Sequence, residues 1–293
     1  TPEDGRLNSL IYLNYSQAEL DAQYDQATLV PDLSPYMEHW TKASAEARAT
    51  LDCELDVAYG PDKAERLDIF PSKQERAPIH VHIHGGAWRR VDKEHVSYHA
   101  PPIVDAGANF IALNFGLAPE YALDDIVGQV RLALKWIWHN AGSFNGDRDR
   151  IFLSGVSSGA HLAATMLADG WRAAMDLPED IIKGAVLASG PYDLEPVRLS
   201  ARNDYLNLDQ TAAERNNPLL HIPGNGPPIF VCWGDGELAE FQRQGQAFGT
   251  AWQEAGNDCQ MQKIENKNHF DVGNLFGEVD SAIVKAAVAQ MSL

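Results

Sequence analysis

An α/β fold built on a mostly parallel sheet, with helices on both faces, is what this 293-residue sequence predicts. Three observations carry that reading. From residue 53 onward, short β-favouring runs alternate with long helical stretches. Strands joined by helical crossovers lie parallel and are covered on both sides. One run, ending at Val156, turns at Ser157 straight into an alanine-rich stretch, within the G-x-S-x-G pattern of Gly155, Ser157 and Gly159. Later runs then deliver an acid-bearing turn and a histidine-bearing turn in that order.

The elements follow in sequence. Residues 1–50 are helical in flavour, with Pro31 and Pro35 breaking the segment. They carry too few apolar positions for a core of their own, so they are expected to pack on the main body as a strap or lid. Strands are expected over 53–59, 66–70, 79–84 and 109–114, the first two separated by a Gly60-Pro61-Asp62 turn. A helix spans about 124–140, where Ile126, Val130, Leu134 and Ile137 share one face and Gly142 follows the end. After the Ser157 turn come strands over 184–188, 228–233 and 260–265. Helices are expected over 239–255 and 274–291, the latter with Phe276, Val279, Ile283, Ala287 and Met291 in register. Residues 194–226, polar and rich in Asn and Pro, interrupt the alternation as a loop-rich partial cap. The whole reads as one domain.

Bulk properties narrow the class. The net charge of −18, from 41 acidic against 23 basic side chains, repels a phosphate backbone, so nucleic acid is not an expected partner. No apolar run has the length of a membrane span, and Thr1–Arg6 do not resemble a signal peptide. Cys53, Cys232 and Cys259 are an odd number without metal-like spacing, which suits free thiols in the cytoplasm. The expected partner is a small-molecule substrate, no cofactor is called for, and a homodimer is compatible with the sequence.

Acyl transfer needs a nucleophile, a base, an acid that orients the base, and donors for the oxyanion. Ser157 has glycine on both flanking positions, which Ser154 and Ser158 do not. A serine on a sharp strand-to-helix turn exposes its hydroxyl, and only very small neighbours fit around it. Asp235, just past the 228–233 run, is the expected acid; Glu237 is its rival and Asp271 a weaker one. His269, one helix and one strand later, is the expected base. Carboxyl ends of parallel strands share one sheet edge, where open α/β sheets place their sites.

His84-Gly85-Gly86-Ala87-Trp88 follows the third strand and matches the position of an oxyanion loop. The amides of Gly86, Ala87 and Ser158 are the expected donors. Trp88 and Tyr192 are expected to wall the substrate pocket. His161, four residues past Ser157, is expected near the substrate, with packing or a hydrogen bond as its main role; His221 in the insertion is a further lining candidate. His80, His82 and His84 alternate along one strand face and invite a metal-dependent hydrolase as the second chemistry.

These segments, together with Leu117-Ala118-Pro119-Glu120 and Asp149–Gly155, resemble the esterase/lipase branch of α/β-hydrolases. Within it the chain is most similar to the kynurenine formamidase (arylformamidase) group, which carries H-G-G-x-W where hormone-sensitive-lipase relatives carry H-G-G-G. Ser189-Gly190-Pro191-Tyr192-Asp193-Leu194, Asn217-Pro218-Leu219-Leu220 and Tyr24-Asp25 followed by Trp40 extend the likeness over nearly the whole chain. The resemblance implies an α/β-hydrolase fold and a triad of Ser157, Asp235 and His269. It also implies a serine hydrolase of N-formyl or N-acyl arylamines, with a small-ester carboxylesterase as the alternative and a non-catalytic binding module as a remote one. Val156 stands where relatives often have histidine, and Ser158-Gly159-Ala160 replaces Ala-Gly-Gly.

Overall fold

The computed structural model describes residues 9–293; Thr1–Arg6 and the start of the strap lie outside the described residues. Eight strands form one sheet: β1 (Glu54–Ala58), β2 (Arg66–Phe70), β3 (Ala77–Ile83), β4 (Asn109–Leu113), β5 (Gly146–Val156), β6 (Ile182–Ala188), β7 (Ile229–Gly234) and β8 (Cys259–Ile264). Their spatial order is β1-β2-β4-β3-β5-β6-β7-β8. β2 pairs antiparallel with β1 and β4, and every pairing from β4 through β8 is parallel. All eight expected strands are present, within a few residues at their ends.

The helices are α1 (Gln17–Gln23), α2 (Ser34–Thr50), α3 (Ala100–Asp105), α4 (Leu123–Asn140), α5 (Ser158–Thr165), α6 (Glu195–Leu199), α7 (Asn203–Leu206), α8 (Gln210–Arg215), α9 (Ala239–Glu254), α10 (His269–Asn274) and α11 (Ala282–Gln290). Side-chain alternation splits the core in two. Ile79, Val81, Ile83, Ile151 and Leu153 point into the larger cluster with Ile126, Val130, Leu134 and Leu162. Phe152, Val186 and Phe230 point the other way, towards Ile103, Phe276 and Ile283. Both sheet faces are therefore dry, as the apolar runs of the central strands require.

Two expectations change. The single helix expected over 274–291 is divided: a 3-10 turn covers Leu275–Gly277, α11 begins only at Ala282, and Val279 is 65% exposed between them. Ser281 caps α11 by accepting from the Val284 amide, so the helix start is fixed by a cap and not by the apolar period. Pro35 likewise does not break the strap. It sits in the first turn of α2, where its missing N–H has no intrahelical partner to lose.

The insertion holds α6, α7 and α8 and is tied to the strap. Gln17 reaches the Leu199 carbonyl, Asp21 accepts from the Ala201 amide, and Arg202 donates to the Tyr24 carbonyl. Two regions far apart in sequence thus close over the same end of the sheet.

Candidate active site

Ser157 stands between β5 and α5 at φ 56° and ψ −127°, a left-handed backbone that a non-glycine residue adopts only under constraint. The neighbours explain the glycines. A Cβ on Gly155 would come within 2.4 Å of the Gly159 carbonyl, and one on Gly159 within 2.0 Å of the Ile83 carbonyl oxygen. The turn can form only with hydrogen at both positions.

The Ser157 hydroxyl donates to Nε2 of His269 at 3.0 Å, and Nδ1–H of His269 donates to Oε2 of Glu237 at 2.8 Å. Glu237 is fully buried at its side chain. Its second oxygen accepts from the Ser189 hydroxyl and from the Gly234 amide. Both carboxylate oxygens thereby have hydrogen-bond partners, which a buried carboxylate requires.

Asp235 does not join this relay, and the expectation for it is corrected. Its residue is exposed and its Oδ1 accepts from the Asn266 amide at 2.7 Å. The reason is local. Lys267 O receives the Gly236 amide, so the β8–α10 loop presses against the tip of β7. Asp235 staples the outside of that contact, and the chain turns inward only at Glu237. The longer glutamate side chain then reaches back to the imidazole. Asp271, the other rival, caps α10 instead. Ser189 was not singled out for this role by the sequence. The available signal was its place at the end of β6, whose neighbour in the sheet is β7.

The loop after β3 runs close to Ser157. A Cβ on Gly85 would lie 3.3 Å from that of Ser157. Gly86, Ala87 and Trp88 have φ of 101°, 55° and 59°. Gly86 and Ala87 line the cavity above Ser157. Ser158 is buried, and its hydroxyl accepts from the Trp88 amide at 3.2 Å, tying the loop to α5.

The three expected substrate contacts lie outside the cavity lining and are corrected as such, although the hydrogen-bonding role expected of His161 is present. Trp88 is fully buried, because the left-handed turn swings its ring behind the loop; its indole N–H donates to Nδ1 of His161 at 3.2 Å. His161 is also fully buried, and its Nε2–H donates to the Asn216 carbonyl at 2.8 Å, which fixes the tautomer. Burial lowers its pKa to about 4. Tyr192 is buried and stacks on Phe248 with centroids 4.4 Å apart. His221 is exposed and bonds the Glu214 carbonyl, outside the cavity lining.

The strand histidines are engaged with protein. His80 Nε2 and His82 Nδ1 both meet the Ser154 hydroxyl, at 2.7 and 2.8 Å, and His84 Nδ1–H donates to Gly85 O. Desolvation lowers His80 and His84 to about 4 and pushes His82 well below the usual imidazole range. His80 and His82 thus converge on one hydroxyl, not on a shared open position. Among the described residues, no group of three or more His, Cys, Asp or Glu side chains is arranged to hold a metal ion.

The cavity measures about 910 Å³ and has Ser157 and His269 in its floor. Its walls come from three places: Tyr24, Met37 and Trp40 of the strap, Arg89 and Tyr98 beyond the loop, and Arg202 and Tyr205 of the insertion. Arg89 lies 4.2 Å from the centroid of the Tyr205 ring. Three buried side chains of the lining carry polar atoms with no hydrogen-bond partner: the Gln26 amide, both ring nitrogens of His99, and Nη1 of Arg202. The sequence predicts the strap and the insertion over the site, but it does not assign these side chains to the cavity wall, because no spacing within either segment marks the inward-facing residues.

The BD-FAE family model matches residues 67–250, well over half of the chain, from Leu67 in β2 through β7 and including the Ser157 turn and Glu237. This chain belongs to the BD-FAE family. As a BD-FAE protein it is an esterase-like α/β-hydrolase. It is 28% identical over 270 residues to the kynurenine formamidase of Danio rerio, covering 88% of this chain and 90% of that one. Esterase LipQ of Mycobacterium tuberculosis is 26% identical, over 80% of this chain and 60% of that protein. Among solved structures, a provisionally named thioesterase from Silicibacter sp. TM1040 superposes with a TM-score of 0.80 at 25% identity, over 94% of this chain and 99% of that one. No helix of the described residues is long and apolar enough to cross a membrane.

Proposed function

We propose that this hydrolase cleaves small amides or esters through an acyl-enzyme on Ser157, and that its preferred substrate is an N-formyl or N-acyl arylamine. The observation that carries the reading is the Ser157–His269–Glu237 relay in the floor of an aromatic-walled cavity. His269 Nε2 takes the Ser157 proton as Oγ adds to the substrate carbonyl carbon. The amides of Gly86, Ala87 and Ser158 receive the negative charge on the carbonyl oxygen. His269 returns the proton to the leaving nitrogen or oxygen as its bond to the acyl carbon breaks. A water, deprotonated by His269, then attacks the acyl-enzyme and frees the acid. Glu237 holds the Nδ1–H tautomer and stabilises the imidazolium.

The aryl preference rests on Tyr24, Trp40, Tyr98, Tyr205 and Phe270 around the cavity, and it agrees with the name of the Danio rerio relative. Small-ester hydrolysis is the second reading, favoured by the open breadth of the cavity and by relatives named esterases. The unpaired thiols fit a cytoplasmic setting. A panel of formanilide, acetanilide, phenyl acetate and long-chain p-nitrophenyl esters tests the assignment. The expected order of kcat/KM puts formanilide first and long-chain esters last; the reverse order would remove the aryl-amide reading.

A further inference from the structure

His269 is the first residue of α10, a helix of six residues. So short a helix has no stability of its own, since the nucleating turn is unfavourable and few bonds follow it. Yet its first side chain must hold two hydrogen bonds at once, to Ser157 and to Glu237. A displacement of about 1 Å in such a group can lower the rate about a hundredfold. Something outside α10 must set its position.

The cap residue Asn268 spends its side-chain oxygen on the amides of Phe270 and Asp271, at 2.8 and 3.0 Å. Asp271 Oδ2 answers by accepting from the Asn268 amide at 3.1 Å, which completes a capping box. Each of these two side chains has one polar atom left over, and both go to one group. The Tyr36 hydroxyl donates to Asp271 Oδ1 at 2.8 Å and accepts from Asn268 Nδ2 at 3.2 Å. Tyr36 belongs to α2, more than two hundred residues earlier. Its ring packs on Phe270 with centroids 5.4 Å apart, and Phe270 packs edge-on against His269 at 5.7 Å. One turn along α2, Trp40 Nε1–H donates to Asn274 Oδ1 at 2.7 Å, at the other end of α10.

We infer that Tyr36 is a positioning residue for the general base: the strap helix locks both members of the capping box that brackets His269 and so fixes the imidazole between Ser157 and Glu237. The inference rests on the reading of His269 as that base. It gives α2 a part in the chemical step in addition to walling the cavity.

The decisive variant is Tyr36→Phe, which deletes one hydroxyl and keeps the ring on Phe270. With formanilide, kcat is expected to fall about tenfold with KM within about twofold, since the interaction acts in the transition state and not on bound substrate. A looser His269–Glu237 contact stabilises the imidazolium less, so the ascending limb of the kcat–pH profile should move to lower pH. Asn268→Ser retains a capping oxygen but removes the Nδ2 donor, and should give a similar loss. Because both variants open the same lock, the double variant should lose little more than either alone. A folded Tyr36→Phe enzyme with wild-type kcat and an unmoved pH limb would overturn the inference, as would losses that multiply. His269→Gln serves as the separate control: retained activity there would overturn the hydrolase mechanism itself, whereas lost activity beside a neutral Tyr36→Phe would overturn only the role of Tyr36.

Discussion

Glu237 places Oε2 2.8 Å from Nδ1 of His269, while Asp235, two residues earlier on the same turn, faces away and accepts from the Asn266 amide. The orienting acid is thus set by how the chain turns after β7, and the two carboxylates can be told apart by their loss. Glu237→Gln should lower kcat by about a thousand- to ten-thousand-fold, by analogy with a triad whose acid was neutralised, because the amide favours the wrong imidazole tautomer. Asp235→Asn should stay within about twofold, the range of an exposed substitution. Steady-state kinetics on both variants check this, and comparable losses would return Asp235 to consideration.

Trp88 and Trp40 should part company in the same way. Trp88 is enclosed and bonded to His161, so Trp88→Ala should reduce stability by about 3–5 kcal/mol, the usual range for emptying a buried aromatic site. Trp40 lines the cavity and bonds Asn274, so Trp40→Phe should cost only the one lost hydrogen bond, about 1 kcal/mol, and raise KM for aryl substrates more than for alkyl esters of similar size. Urea titration and paired KM values separate the two effects.

Acid should unfold the protein early. His80, His84 and His161 are held near 4 by burial, and His82 and His99 are also pushed down. In the unfolded chain each titrates near ~6.5. The native imidazoles therefore stay neutral while the unfolded ones gain protons. Their contribution is fully present above about pH 6.5 and is lost as pH falls towards about 4, by up to ~1.4 kcal/mol per pH unit for each histidine. Urea midpoints at several pH values should drop steeply through that window, and His161→Gln should make the drop shallower. A flat profile from neutral pH to about 5 would contradict the neutral-histidine arrangement.

Chelation should leave turnover unchanged. His80 and His82 are committed to one hydroxyl, that of Ser154, so their pairing is structural. Inhibition by EDTA that zinc reverses would restore the metal-dependent reading.

Much of the frame was legible because it follows from periodicity and sterics. Alternation of strand and helix yields the parallel sheet, and Gly155 and Gly159 announce a turn where a Cβ would strike backbone. Order along the chain brought Ser157 and His269 to one edge. What the sequence withheld depends on local turns that period cannot see. Nothing in Gly234-Asp235-Gly236-Glu237 says which carboxylate turns inward, since that follows from Lys267 O accepting the Gly236 amide. The burial of Trp88 follows from three successive left-handed residues, two of which are not glycine. The cavity wall assembles from the strap, the loop after β3 and the insertion, and which of their side chains face inward is set by packing that no motif reports.

The central claim is that Ser157 is the nucleophile that carries the acyl group. An aryl phosphonate ester should add one phosphonyl group per chain, located by peptide mass spectrometry on the segment containing Ser157, with activity lost in step. Ser157→Ala should take up no label and lower formanilide turnover by several powers of ten, on the order of a million-fold where the nucleophile of a serine hydrolase was removed. Labelling that persists in Ser157→Ala, or turnover that survives it, would contradict the account.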